Sequence, residues 1–161
     1  VNGVELLGPL CRRLAQEASP VYLVGGRGET AARAAEALRA QAPGLIVAGV
    51  RDGFFPGRDD AAVARAIAQS GARVALVALG SPRQEQFIAE ALGPAGIPVG
   101  IGLGGSFDVL AGNVPRAPAL VRRLGLEWLF RLLREPWRWR RQLALPQFAL
   151  LALRERLSDR R

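Results

Sequence analysis

The sequence predicts an α/β fold: a Rossmann-like parallel sheet flanked by helices, followed by an all-helical C-terminal appendage. Three observations predict it. Four short apolar runs alternate with helix-patterned segments, and each run is stopped by a loop rich in glycine or polar residues. The runs are apolar throughout rather than at alternate positions, which reads as strands covered on both faces, the signature of a parallel sheet. After Arg116 the strand signal ceases, and helical patterning continues, punctuated at Pro118, Pro136 and Pro146.

Taken in order, VNGVELLGPLCRRLAQEA opens the chain on a helical pattern, with neither an initiating Met nor a lead-in. PVYLVGG (20–26) is a strand ended by glycines, and ETAARAAEALRAQAPG (29–44) is a helix closed by Pro43-Gly44. LIVAGV (45–50) is a strand. RDDAAVARAIAQSG (58–71) is a helix with its aspartates in the first turn, where the helix dipole favours negative charge. RVALVALG (73–80), SPRQEQFIAEALG (81–93) and IPVGIGLGG (97–105) read as strand, helix and strand. The organisation predicted is a core over 1–115 and a basic helical appendage over 116–161.

Charge supports that division. The formal net charge is +8, yet residues 1–115 carry ten arginines and ten carboxylates, so the whole excess belongs to 116–161. All 22 basic residues are arginine. The stretch EWLFRLLREPWRWRRQ holds all three tryptophans and five arginines. A neutral body with a cationic, Trp-rich tail points to a phosphate-bearing ligand or an anionic membrane surface. No apolar run reaches the roughly 20 residues needed to span a bilayer. The single cysteine, Cys11, excludes an intramolecular disulfide and sits in an apolar helix pattern, so it reads as core. With no histidine and one cysteine, no metal site is expected.

In a parallel sheet, ligands bind beyond the C-terminal ends of the strands, and three loops there carry distinctive residues. Gly26-Arg27-Gly28-Glu29-Thr30-Ala31 fits G-x-G-x-x-A between strand and helix, and Asp52 follows the next strand where a ribose-binding carboxylate would stand. That pattern supports a dinucleotide-dependent oxidoreductase as the rival reading. In Ser81-Pro82-Arg83-Gln84-Glu85, Ser81 as N-cap, Pro82 at the first helical position and Gln84 three residues on make a capping box. Arg83 and Gln84 then stand beside a helix N-terminus that favours anions. In Gly102-Leu103-Gly104-Gly105-Ser106-Phe107-Asp108, the glycines permit close approach of a ligand, and Asp108 either accepts from a sugar hydroxyl or caps the next helix.

Together, VNGVEL, DGFF (52–55), LGSPRQEQFI (79–88), GLGGSFDVLAGNVPRAP (102–118) and GLEWLFRLLREPWRWRR (125–141) resemble the bacterial WecG/TagA/CpsF glycosyltransferases, in order and over nearly the whole chain. The resemblance implies transfer of a sugar, N-acetylmannosamine or a related hexose, from a UDP-sugar to polyprenyl-pyrophosphate-linked N-acetylglucosamine in teichoic acid or surface polysaccharide synthesis. It implies metal-independent catalysis without a cofactor. Gln84 matches the family's active-site glutamine. Pro82 and Arg83 beside it, the loop Gly104, Gly105 and Ser106, Asp108, and Phe54 (where the family often has Tyr) fall to the nucleotide-sugar side. Arg131, Arg138 and Arg141 match arginines that handle the acceptor pyrophosphate. The family's catalytic aspartate lies upstream of the motif that opens this chain, so the resemblance also implies a chain truncated at its N-terminus.

For the tail, Arg guanidinium groups bind phosphate oxygens in pairs, and Trp favours the membrane interface. The partners the resemblance implies are the UDP-sugar and the lipid-linked acceptor, with the tail's composition adding an anionic membrane surface, at the inner face of the plasma membrane. Self-association is left open. A nucleic-acid module is the competing reading of the tail, and the neutral body without an extended basic groove argues against it.

Overall fold

A computed structural model of the chain describes residues 3–115, together with 118 and 121. The chain divides into two compact units, Val1–Pro115 and Arg116–Arg161. The appendage, with its tryptophans and Arg131, Arg138 and Arg141, lies outside the described residues.

The first unit is a three-layer α/β/α fold. Helix α1 (Gly3–Gln16) precedes strand β1 (Val21–Gly25), helix α2 (Thr30–Gln41) and strand β2 (Val47–Arg51). A short 3-10 turn (Gly57–Asp59) leads into α3 (Asp60–Gln69) and β3 (Val74–Ala78). Helix α4 (Arg83–Phe87) continues as a π-helical turn (Ile88–Leu92) into β4 (Val99–Gly102), and α5 (Ser106–Leu110) follows. The four strands lie in the order β2-β1-β3-β4, all parallel.

Two hydrophobic clusters seal the two faces of the sheet. Val21, Leu23, Val74, Leu76 and Ala78 point to one face, against Leu7, Cys11 and Leu14 of α1, the alanines and Leu38 of α2, and Phe107 of α5. Val24, Ala75 and Val77 point to the other, against Val63, Ala64 and Ile67 of α3, Phe87 of α4, and Ala91 and Leu92 of the π turn. The alternation follows from the two-residue period of strands, and the helix contacts fall at spacings of three and four.

Position in the sheet modifies the expectation that every strand is buried on both faces. β3 is buried at every residue and β1 nearly so, whereas β2 and β4 stand at the edges and leave Val50 and Val99 exposed. The segment 81–93 is not one regular α-helix. The π turn brings Phe87 and Leu92, five residues apart, into one cluster, because a wider turn carries the i, i+5 pair to the same face. The fourth strand is also shorter than 97–105: Leu103 leaves the ladder for the loop that opens α5.

Cys11 is core, as its pattern predicts, and is completely buried. Burial pushes its thiol up to about 11, since a thiolate there would lose its hydration. A raised thiol value means that the native state holds its full stability below the ordinary thiol range and loses the Cys11 contribution as pH rises through about 11. A disulfide-exchange reagent in mildly alkaline buffer is expected to label Cys11 only when urea unfolds the chain. Labelling of the native protein at the unfolded rate would show the helix α1 packing to be wrong.

Candidate active site

The chain leaves β1 toward one edge of the sheet and β3 toward the other, so their C-terminal ends flank the point where the winding reverses. Such a point leaves a crevice between diverging loops. The loops 26–29, 52–56, 79–82 and 103–105 converge there. The Gly53 N–H donates to the Gly26 carbonyl at 2.7 Å, and the Leu103 N–H donates to the Val77 carbonyl at 2.7 Å. The first bond fixes two of the loops to one another, and the second ties the start of the fourth to β3.

Gln84 stands at the first turn of α4, just past the C-terminal end of β3, and is only 7% exposed. Its Oε1 accepts the Gly104 N–H at 2.9 Å, and its Nε2 donates to Oε1 of Glu85 at 2.9 Å. The side chain lies over Gly102, where an added Cβ would stand 2.8 Å from Nε2, so glycine at the end of β4 makes room for the amide. The capping box expected here is not formed. Ser81-Pro82 is a cis peptide, Pro82 itself holds the cap position, and no side chain caps the helix. The amide of Gln84 is engaged with the neighbouring loop and with Glu85, not with the cap residue's N–H. The Glu85 carboxyl is held below its ordinary value, first by the Gln84 amide and then by its own backbone N–H; desolvation opposes this slightly and the Ser81 hydroxyl assists.

Pro82 is exposed at the mouth, but Arg83 turns away from it. Its guanidinium donates to Asp60 at 2.9 Å and to the Phe55 carbonyl at 3.1 Å, and stacks 4.9 Å from the Phe55 ring. Phe55 in turn meets Phe87 edge-on at 5.8 Å. Arg83 thus ties the β2 loop and the start of α3 to α4. Asp60, whose place in the first turn of α3 follows from the dipole, supplies the partner.

On the opposite wall, Phe54 is 67% exposed and Arg27 stacks on it at 4.7 Å. The Phe54 N–H donates to Oδ1 of Asp52 at 2.8 Å. The strand–turn–helix context of the G-x-G-x-x-A segment is present, and a groove of about 470 Å³ lies between Gly28, Glu29 and Ala32 on one side and Val50, Arg51 and Asp52 on the other.

Gly104 and Gly105 form the turn into α5, and Ser106 is buried, its Oγ donating to the Leu103 carbonyl at 2.7 Å. Asp108 does not cap α5: Gly105 holds that position and Asp108 is the helix's third residue. Its Oδ1 accepts from Asn113 at 3.4 Å. Asn113 also donates to Thr30 at 3.0 Å and accepts from Arg33 at 3.1 Å, while Thr30 donates to the Arg27 carbonyl at 2.8 Å. This network joins the α5 side of the site to the first loop. The sequence reading quoted Arg27 and Thr30 only within the G-x-G-x-x-A pattern and missed their link through Asn113, since Asn113 meets Arg33 and Thr30 some 80 positions away.

Gln84, Gly104, Gly105 and Ser106 are therefore brought together. Phe54 lies on the loop after β2 and Asp108 in α5, and Arg83 is engaged in bonds to Asp60 and Phe55. Among the described residues, no three His, Cys, Asp or Glu side chains cluster as metal ligands would, and no helix is long and apolar enough to cross a membrane.

Comparison with known proteins gives the chain's family. The model of the glycosyl transferase WecG/TagA/CpsF family matches residues 1–161. The chain belongs to that family. Over 135 residues, 84% of this chain and 52% of the relative, it is 41% identical to the N-acetylglucosaminyldiphosphoundecaprenol N-acetyl-beta-D-mannosaminyltransferase of Bacillus subtilis (strain 168). The chain spans about half the length of this curated relative.

Proposed function

We propose that the crevice holds the nucleotide-sugar of a transferase that moves N-acetylmannosamine or a related hexose from UDP to polyprenyl-pyrophosphate-linked N-acetylglucosamine. The product would feed teichoic acid or another surface polysaccharide. The observation that carries this reading is the placement of Gln84, buried at the winding reversal and hydrogen-bonded to the glycine loop of β4, in a member of this family. The likeness to the Bacillus subtilis enzyme supports the choice of donor and acceptor.

In the reaction, a hydroxyl of the acceptor sugar attacks the anomeric carbon, the bond to the UDP oxygen breaks, and the hydroxyl proton passes to a base. An amide neither gives nor takes a proton at neutral pH, so Gln84 orients the reacting sugar. Arg27 makes no ion pair among the described residues and is steadied by Phe54, which leaves its charge for the leaving diphosphate beside the α2 N-terminus. Phe54 offers a ring for the base, and Asp108 an acceptor for sugar hydroxyls. The reading uses no metal.

Calorimetric titration with UDP, with NAD⁺ alongside, tests the assignment. UDP binding without NAD⁺ binding is expected; NAD⁺ binding alone would overturn it and revive the G-x-G-x-x-A reading.

Arg131, Arg138 and Arg141 are proposed to hold the acceptor pyrophosphate at the anionic inner leaflet of the plasma membrane, where each arginine adds on the order of 1 kcal/mol of attraction. Replacing Arg138 and Arg141 together by Ala is expected to raise the KM for lipid-linked acceptor about tenfold or more while leaving UDP affinity unchanged. Equal loss of both would contradict a division between donor crevice and acceptor tail.

A further inference from the structure

We propose that Glu85 is a positioning residue that makes Gln84 a hydrogen-bond donor, and not an acceptor, toward the bound sugar nucleotide. This rests on the reading of Gln84 as a substrate-contacting side chain. A glutamine amide has two faces of opposite character, and a site that needs one of them must prevent the 180° turn that exchanges them. Here the two neighbours have fixed and opposite demands. The Gly104 N–H is a donor and takes Oε1 at 2.9 Å. The Glu85 carboxylate is an acceptor and takes Nε2 at 2.9 Å. Turning the amide over would set N–H against N–H and oxygen against carboxylate, losing both bonds.

Gly102 completes the cradle, because the amide packs where any side chain at that position would stand. One Nε2 hydrogen is used by Glu85, and the other has no partner among the described residues although Gln84 is 93% buried, the complement of its 7% exposure. That hydrogen is what the side chain offers to a ligand. Its complement is an oxygen acceptor on the sugar: a hydroxyl lone pair or an acetamide carbonyl. Glu85 also polarises the amide, since a charged acceptor strengthens the donor character of the group bound to it. The Gln84 amide itself, then the backbone N–H of Glu85, hold this carboxyl below its ordinary value.

Four variants separate positioning from bulk stability: Glu85→Gln, Gln84→Ala, their double, and the exchanged pair Gln84→Glu with Glu85→Gln. The side-chain amide resonance of Gln84, identified by its disappearance in Gln84→Ala, is expected downfield of ordinary glutamine amides and is expected to move back toward them in Glu85→Gln. Turnover of UDP-N-acetylmannosamine on a short-chain polyprenyl-pyrophosphate N-acetylglucosamine is expected to fall roughly tenfold in Glu85→Gln, a modest misplacement cost. UDP affinity is expected to be unchanged. In a Gln84→Ala background, Glu85→Gln should cost nothing further.

The exchanged pair restores a carboxylate–amide bond but turns an acceptor toward the ligand. It should stay folded and no more active than Glu85→Gln. An unmoved Gln84 resonance, equal losses from Glu85→Gln in both backgrounds, or recovery of activity by the exchanged pair would each overturn the proposal. Wild-type turnover in Gln84→Ala would instead remove the reading of Gln84 on which it rests, while the resonance would still report whether Glu85 holds the amide.

Discussion

Gly25→Ala is expected to cost the core unit most of its stability. Gly25 ends β1 at φ +137°, and a Cβ there would fall on the backbone carbonyl carbon and oxygen of Ala78. Ala78 is its register partner on β3, the most buried strand of the sheet. Neither strand can retreat, because both are clamped between two packed helix layers. A backbone conformation reserved for glycine costs a non-glycine residue about 1–3 kcal/mol, and overpacking adds about 1–3 kcal/mol. Against a typical domain stability of about 5–15 kcal/mol, the two together are a large fraction. Urea unfolding followed by circular dichroism should show the midpoint reduced by at least about a third with its slope unchanged. A wild-type midpoint would mean that β1 and β3 do not approach as described.

Gln84→Ala is expected to lower turnover at least about tenfold with UDP affinity preserved, the pattern of a group whose contact matters in the transition state more than in nucleotide binding. The substitution has a structural side as well. It leaves the Gly104 N–H without its acceptor, a loss of about 1–3 kcal/mol where water cannot replace it. Turnover and thermal unfolding must therefore be measured on the same preparation, at a temperature where the variant is fully folded. Unchanged turnover would remove Gln84 from the site. Parallel loss of UDP binding would mean that the amide serves mainly to hold the glycine loop in place.

The fold class was legible because its signals are local. The apolar runs around Val21–Gly25 and Val74–Ala78 and the helical spacing of Leu7, Cys11 and Leu14 each follow from contiguous residues. The edge status of β2 and β4 was not legible, since strand order is a property of how segments pair and LIVAGV reads the same at an edge or in the middle. The site was half legible. The resemblance drew attention to Gln84, Phe54, Asp108 and the glycine loop; the structure sets Gln84 against the glycine loop, Phe54 beside Arg27, and Asp108 in a network with Asn113. The resemblance placed Arg83 on the ligand side, whereas its charge is met by Asp60, 23 positions earlier. An arginine beside a helix N-terminus looks alike from sequence whether it serves a ligand or a carboxylate of the neighbouring helix. The capping box at Ser81 failed for a related reason: the segment fits the pattern, but the glutamine amide meets stronger partners in Gly104 and Glu85.

The two hydrophobic clusters on opposite faces of the sheet have no residue in common. Each layer can therefore accept compensating changes of side-chain volume without consulting the other, as two separately upholstered sides of one frame. The exception is at the strand ends, where Gln84 at the start of α4 holds the glycine loop that opens α5 on the other face. Amino-acid drift within either layer is thus modular. At the rim it is not, because a residue changed there alters at once the support of a loop and the shape offered to a ligand.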